Sequence, residues 1–313
     1  MTVCRGQADH ACPCCGCGHS QDLGPIREMH AVIRLADPGS LYRCPECRLL
    51  YRYPYLSPEE SARRYAALPV EQWSGEGMDR PDWDVARTTI TRLVPPCHLI
   101  EVGCFRGDFL RSLPAGYRLH GLELSTEAAR TAAASGIEML GGTVAEALAA
   151  GKRFGCVVAI DVVEHLQDPL AFVRECLGLL SPGGVCVFTT GDPSSWLWQW
   201  NPRDYWYYSP EHVSFCDGGW WTWACERLKS RVVHRRRFRR KRATPVQLAG
   251  MAMRTAVYEV AQAAKRAGGP ANVLRYIPPF SLGWFRPVQP DGWWTRDHHV
   301  VVLAAPAERA EAA

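Results

Sequence analysis

The chain has 313 residues, 47% of them hydrophobic and 22% charged, with a net charge of +4. This suits a globular enzyme of one large domain with a small appendage, and the charge is too mild to name a polyanionic partner. No apolar run approaches the roughly 18 residues of a membrane span, and MTVCRGQADHACPCC carries no signal-peptide core, so a cytoplasmic protein without a membrane partner is expected.

Fourteen cysteines are present, half of them within the first fifty residues. The later ones (Cys97, Cys104, Cys156, Cys176, Cys186, Cys216 and Cys225) are scattered through strand and helix patterns, as small core residues are in a reducing compartment. The early ones fall in C-x-x-C pairs. Cys12 with Cys15, and Cys44 with Cys47, form two proline-containing knuckles, and two such turns supply the four thiolates of a closed tetrahedral Zn2+ site. Cys14 and Cys17 form a competing pair; Cys12 and Cys15 are preferred because they match the C-P-x-C form of the second knuckle. His10 and His19 stand nearby as substitute ligands. A redox pair is disfavoured because no βαβ pattern surrounds either knuckle. Residues 1–55 are therefore expected to form a zinc-ribbon lobe.

Residues 56–95 read as a helical lid or linker: a helix opening at Pro58, a loop with Trp73, Gly75 and Gly77, and a second helix from about Asp82 to Leu93. Residues 96–306 read as one domain, and 307–313 as a fraying tail. The domain begins with LIEVGCFRGDFL at 99–110, a short apolar strand running into a glycine-bearing turn and then a helix. That arrangement lets a ligand approach the backbone near a helix N-terminus. Strands follow near 118–123, 137–140, 155–160 and 184–190, with helices between, which implies an α/β fold with a parallel sheet covered on both faces. Candidates for a terminal antiparallel hairpin are 231–238 and 299–304. Glu123 ends the second strand, where a carboxylate can accept both hydroxyls of a ribose.

The order of these pieces, with DVVEHL at 161–166 and a Pro-Gly-Gly turn into the next strand, resembles the class I S-adenosylmethionine-dependent methyltransferases, in particular the small-molecule and sugar branch. The likeness is good over roughly 95–225 and looser elsewhere. It implies a Rossmann-like domain with a mostly parallel seven-stranded sheet and S-adenosyl-L-methionine as cofactor. It implies Glu101, Gly103, Phe105 and Gly107 around the methionine end, Glu123 and Leu124 at the ribose, and Thr143 to Glu146, including Ala145, near adenine. Asp161 and Val162 would face the methionyl amine and the substrate mouth. The zinc ribbon also resembles one placed ahead of methyltransferases acting on sugars and secondary metabolites, where it is mainly structural. One departure stands out: Phe105 replaces the middle glycine of E-x-G-x-G-x-G. Its Cβ disfavours positive φ, so either the loop takes an ordinary conformation or the cofactor sits differently.

After the last parallel strand, 194–216 (SSWLWQWNPRDYWYYSPEHVSFC) is too rich in aromatics for all of them to be core. About half are expected to pack the loop against the zinc lobe and the rest to line a pocket. His212, with Glu211 orienting it or the acceptor, is the expected general base, because this loop overlies the sheet's carboxyl edge and imidazole titrates near neutrality. His165 and the tyrosines Tyr205, Tyr207 and Tyr208 stand behind it as alternatives, with packing the safer reading of His165. Residues 231–242 hold seven arginines and one lysine. A solvated strand and loop is favoured there over grip on RNA or a nucleotide diphosphate. A helix is expected from about Thr244 to Ala267, then a loop at 277–296 capping the site. The sequence thus points to a small-molecule methyltransferase. An RNA base methyltransferase and a non-catalytic cofactor-binding module are the rival readings, and substrate, acceptor atom and oligomeric state are not legible.

Overall fold

A computed structural model of the chain describes residues 10–26, 39–55, 80–200, 202–203, 205–209, 211–266 and 295–305. The helix expected from Pro58, the loop with Trp73, the capping loop up to 294 and the tail lie outside the described residues.

The N-terminal lobe is a small antiparallel sheet of β1 (Gln21–Pro25), β2 (Ser40–Arg43) and β3 (Leu50–Tyr53). Its two knuckles fold alike. Gly16 N and Arg48 N each donate back to the carbonyl of the knuckle's first cysteine, Cys12 and Cys44, at 2.9 and 3.1 Å. Both residues hold a left-handed conformation, φ 76 and 68, which glycine supplies freely and arginine at a cost.

The chain then runs through α1 (Pro81–Leu93), β4 (His98–Val102), α2 (Asp108–Arg111), β5 (Arg118–Leu122), α3 (Thr126–Ala134), β6 (Glu138–Met139), α4 (Val144–Ala149), β7 (Phe154–Ile160) and a 3-10 turn at Val163–His165. It continues through α5 (Pro169–Gly178), β8 (Leu180–Gly191), α6 (Trp196–Trp200), β9 (Ser214–Phe215), α7 (Gly218–Arg227), β10 (Arg231–Phe238), α8 (Pro245–Arg266) and β11 (His298–Ala304). Every strand expected from the sequence is present, and the seven-stranded sheet has the order β10-β11-β8-β7-β4-β5-β6.

Strand alternation explains the two-sided core. On β4 and β7, Ile100, Val102, Val157 and Ala159 face Val173 and Cys176 of α5, while Leu99, Cys156, Val158 and Ile160 face Ala86 and Ile90 of α1. Each such buried leucine or isoleucine contributes roughly 1.5–3 kcal/mol. Side chains of Ser125, Thr143, Asp168 and Asp217 cap the helices that follow them by accepting a backbone N–H of the first turn.

Two features of topology position the site. The strands β4, β5, β7 and β8 are mutually parallel, while β11 runs antiparallel to both β8 and β10. The end of β10 and the start of β11 therefore join the carboxyl edge. The second feature was not expected: β9 adds to the lobe's sheet beside β3, pairing Leu50 with Phe215 and Tyr51 with Ser214. The lobe is thus continuous by hydrogen bonds with the loop after β8. Ile26, Leu41 and Leu50 of the lobe share one core with Leu197, Trp198, Tyr205, Tyr207, Tyr208 and Phe215. Packing thus accounts for more of the aromatic loop than half; Trp196 and Trp200 remain exposed.

Candidate active site

The glycine turn after β4 is left-handed at every other residue. Gly103, Phe105 and Gly107 have φ of 72, 48 and 77. A Cβ on Gly107 would lie 2.0 Å from Ile137 Cδ1, so both conformation and space require glycine there. Phe105 does not relax the loop into an ordinary conformation. It takes the left-handed one despite its Cβ, at a cost of roughly 1–2 kcal/mol. Part of the compensation is visible: Phe105 N donates to Glu123 Oε2 at 2.9 Å, and Ser125 N to Glu123 Oε1 at 2.7 Å. Glu123 thereby ties the turn after β4 to the turn after β5 and retains lone pairs for a ligand. Beside it, Leu124 is 79% exposed, far more than an apolar side chain needs to be. Thr143 and Glu146 form a capping box on α4, and Glu146 also accepts from Gly142 N, so their polar atoms serve the helix; Ala145 is exposed.

Two carboxyl groups at the strand ends hold buried oxygens with no hydrogen-bond partner: Glu101 Oε2 near the end of β4 and Asp161 Oδ1 just after β7. Burial pushes the Glu101 acid well above the usual carboxylate range against the opposing charge of Arg80. Asp161 is the reverse case. Burial raises it, but the guanidinium groups of Arg240 and Arg80 prevail and hold it down at about 2. Arg240 Nη1 donates to Asp161 Oδ2 at 2.7 Å, and Arg80 Nη2 stands 3.9 Å from the same oxygen. Asp161 is itself left-handed, φ 52, at the foot of the 3-10 turn; Val162 Cγ2 would lie 3.3 Å from a Cβ on Gly103.

The sequence missed Arg80 and Arg240. Arg240 belongs to the basic run, which is exposed along most of β10 but is not simply solvated. Arg237 Nε donates to Asp192 Oδ2 at 2.5 Å, Arg242 pairs with Asp84, and Arg240 reaches the site. The signal was in the topology: a parallel strand ending at Phe238 delivers the next few residues to the carboxyl edge.

The acceptor side gathers around Glu164, which is completely buried. Its Oε2 accepts from Thr190 Oγ1 at 2.8 Å and its Oε1 from the Tyr207 hydroxyl, and burial, with Asp161 nearby, pushes its acid up. His212 and His165 lie edge to face with ring centroids 4.8 Å apart. His165 Nδ1 donates to the carbonyl of Glu211 at 3.2 Å, and His212 Nδ1 to the carbonyl of Tyr207 at 2.7 Å. The His212 ring is therefore held by a backbone carbonyl and not by the Glu211 carboxylate. With Nδ1 committed as a donor, His212 carries its lone pair on Nε2, and burial together with His165 lowers its basicity well below 6.5. Tyr208 departs from its expected place. It is buried in the core shared with the lobe, its hydroxyl donating to Pro202 O at 2.7 Å and accepting from Trp198 Nε1 at 2.6 Å. Tyr207, its neighbour, is the tyrosine that enters the site.

Among the described residues, two groups have the donor set of a metal site. Cys12, Cys15, Cys44 and Cys47 bring their sulfurs within 4.8 Å of one another. Cys12 to Cys47 is 3.6 Å and Cys15 to Cys44 is 3.5 Å, close to the edge of about 3.8 Å that a tetrahedron with Zn–S of ~2.3 Å requires. Cys14, Cys17, His10 and His19 are not members; His10 stacks on Tyr53 at 3.7 Å. Glu164, His165 and His212 form the second group, but Glu164 spends an oxygen on each of two hydroxyls.

A family model described as a methyltransferase domain matches residues 62–234, more than half of the chain. The chain belongs to the methyltransferase-domain family. Its fold is the Rossmann-like fold of class I S-adenosylmethionine-dependent methyltransferases, with the mostly parallel seven-stranded sheet. The chain is 29% identical over 161 residues to a ubiquinone biosynthesis O-methyltransferase of Parvibaculum lavamentivorans, covering 43% of this chain and 62% of that protein. It is 42% identical over 73 residues to one of Cereibacter sphaeroides, covering 20% and 30%. The chain thus spans less than two thirds of either relative. Among solved structures, coclaurine N-methyltransferase bound to N-methylheliamine and SAH is similar with a TM-score of 0.45 and 8% identity, over 71% of each chain. The residues of this methyltransferase-domain protein fit S-adenosylmethionine. Two buried, unpartnered carboxyl oxygens suit a ligand with cationic and N–H groups, the left-handed turn leaves room for a close approach, and exposed Leu124 offers a flat apolar edge.

Proposed function

We propose that the protein transfers a methyl group from S-adenosylmethionine to a small-molecule acceptor that gives up a proton from oxygen or nitrogen. The observation that carries this reading is the convergence, at one sheet edge, of the Glu101–Glu123–Asp161 carboxyl groups with a neutral histidine whose lone pair is on Nε2. When bound, S-adenosylmethionine supplies an electrophilic methyl carbon whose bonding pair returns to sulfur. Glu123 would hold the ribose hydroxyls, Asp161 Oδ1 the methionyl amine, and Leu124 with the Gly142–Thr143 turn the adenine. His212 Nε2 takes the acceptor's proton. Its lowered basicity keeps it unprotonated near neutral pH, and the Tyr207 carbonyl aims the ring. Glu164 and Tyr207 wall this side without titrating. The four-cysteine cluster is read as a structural Zn2+ site whose role is to hold β3, and through it β9, in place.

An O-methyl acceptor is in keeping with the names of the curated relatives, and the pairing of Arg237, Arg240 and Arg242 with Asp192, Asp161 and Asp84 leaves less of the basic run for a nucleic acid. A labelled-methyl assay across phenols, amines, nucleotide sugars and RNA tests the reading. Transfer to a small acceptor is expected; transfer to RNA alone, with affinity falling steeply with salt, would replace it.

A further inference from the structure

The carboxyl edge holds a second histidine that the proposed reaction leaves unused. Because β11 runs antiparallel, its first residue, His298, lies at this edge, in register with Gly191 of β8 on one side and Phe238 of β10 on the other. The preceding Asp297 is completely buried, yet its carboxylate is fully engaged. Oδ2 accepts from the Tyr205 hydroxyl at 2.6 Å and Trp206 Nε1 at 2.9 Å, and Oδ1 from His298 Nδ1 at 2.9 Å. That last bond fixes the tautomer: the proton is on Nδ1 and the lone pair on Nε2. His298 Nε2 lies 3.4 Å from Arg240 Nη1, and a guanidinium only donates, so the imidazole accepts. The same Nη1 donates to Asp161 Oδ2.

A chain of four side chains therefore runs Asp297, His298, Arg240, Asp161. We propose that His298, oriented by Asp297, is a positioning residue that fixes Arg240 on Asp161 Oδ2, so that Asp161 presents its other oxygen, Oδ1, to the cofactor. Arg240 sits two residues beyond β10 in a stretch without regular structure, on a long side chain with many rotamers, and such a group holds one geometry only if something selects it. His298 is rigid by comparison. It is completely buried, with the Tyr207 ring edge-on at 4.9 Å and Trp206 at 5.9 Å, so its Nε2 cannot wander. With Oδ2 occupied from one side, Asp161 cannot rotate Oδ1 out of the position where it is buried and unpartnered. This inference rests on the reading that Asp161 contacts the cofactor.

Two substitutions separate positioning from packing, because each keeps one half of the imidazole's hydrogen bonding. His298→Gln places an amide oxygen near Nε2 and keeps an acceptor for Arg240 while losing the donor to Asp297. His298→Asn keeps a donor near Nδ1 and loses the acceptor. The probe is S-adenosylhomocysteine, titrated calorimetrically, with Tm recorded on the same samples. We expect Gln to bind within about threefold of wild type and Asn to bind about tenfold or more weakly, while Tm ranks them in the opposite order. Affinity that follows the Tm order, or wild-type affinity in both, overturns the positioning role. Should neither variant fold, Arg240→Gln, on a partly exposed side chain, decides: unchanged affinity overturns the proposal and a loss of about tenfold supports it. Asp161→Asn separates the two levels. Unchanged affinity there removes Asp161 from the cofactor site and this inference with it, whereas weakened binding alongside unaffected His298 variants removes the positioning role alone.

Discussion

The two sides of the candidate site are built in different ways. The cofactor side comes from one stretch: Glu101, the glycine turn and Glu123 lie within 23 residues, on two adjacent parallel strands, and are tied together by the bonds of Glu123 to Phe105 N and Ser125 N. The acceptor side is assembled from separate stretches, the 3-10 turn after β7 and the loop after β8. A zinc-ribbon-like lobe that is remote in sequence then pairs with the strand immediately after His212. The first side is a local property of the fold. The second depends on long-range pairings, and that is where a chain can change its acceptor without disturbing the cofactor.

The contrast makes its largest prediction at His212. His212→Ala should lower kcat about 10²–10⁴-fold with cofactor affinity unchanged, measured by labelled-methyl transfer to the acceptor the panel yields. A parallel loss of cofactor affinity would make the histidine a structural member of both sides.

Next in size is the effect of the lobe. Removing the proposed Zn2+ with a chelator, or Cys44→Ser, should release β3 and with it the Arg52 N to Val213 O bond of 2.9 Å. Hydrogen exchange should quicken at 50–53 and 211–215 and stay unchanged at 99–107. Quickening at the glycine turn as well would show that the two sides are not separable.

Tyr207 and Tyr208 are adjacent, yet they divide between the two roles. Tyr207→Phe removes a donor from buried Glu164 and should cost roughly 1–3 kcal/mol of stability together with a fall in kcat. Tyr208→Phe removes two hydrogen bonds within the loop core, to Pro202 O and from Trp198 Nε1, and should cost roughly 1–3 kcal/mol with kcat intact. Equal kinetic effects would erase the distinction between them.

How much of this was legible in the sequence follows the same division. The glycine turn, Glu123 and every strand of the large sheet were readable, because period-two apolar runs and glycine punctuation are local signals. The four-cysteine group was readable from spacing together with the C-P-x-C form shared by the two knuckles. The direction of the His212 ring was not, because its partner is the backbone carbonyl of Tyr207, which any residue would supply. Arg240 was hidden in a run whose usual meaning is a solvated face, and His298 stood at the head of an apolar strand. Both became significant only when the antiparallel β11 brought the two ends to one edge. Phe105 left two readings open, an ordinary loop conformation or a shifted cofactor, and the loop is left-handed. The local cost of a left-handed phenylalanine was legible, but not the Glu123 carboxylate waiting for its N–H.

The smallest effects are those of pH. His212 is held well below 6.5 by burial and His165, and His299 is brought down to about 4 by burial. Between those depressed values and 6.5 the unfolded chain binds protons that the folded one does not. Stability from these groups is therefore complete above pH 6.5 and declines as pH falls toward 4. Tm against pH should show that decline, and the acid limb of kcat/KM should lie below 6.5. A limb at or above 7 would place the base elsewhere.

The central claim is that the carboxyl edge of the sheet binds S-adenosylmethionine through Glu123, apart from the base at His212. Calorimetric titration of S-adenosylhomocysteine into wild type, Glu123→Ala and His212→Ala tests it most directly. The account predicts one site per chain in wild type, a loss of roughly 1.5–3 kcal/mol in Glu123→Ala, and no change in His212→Ala. Absence of binding in wild type, or full affinity in Glu123→Ala, would contradict it.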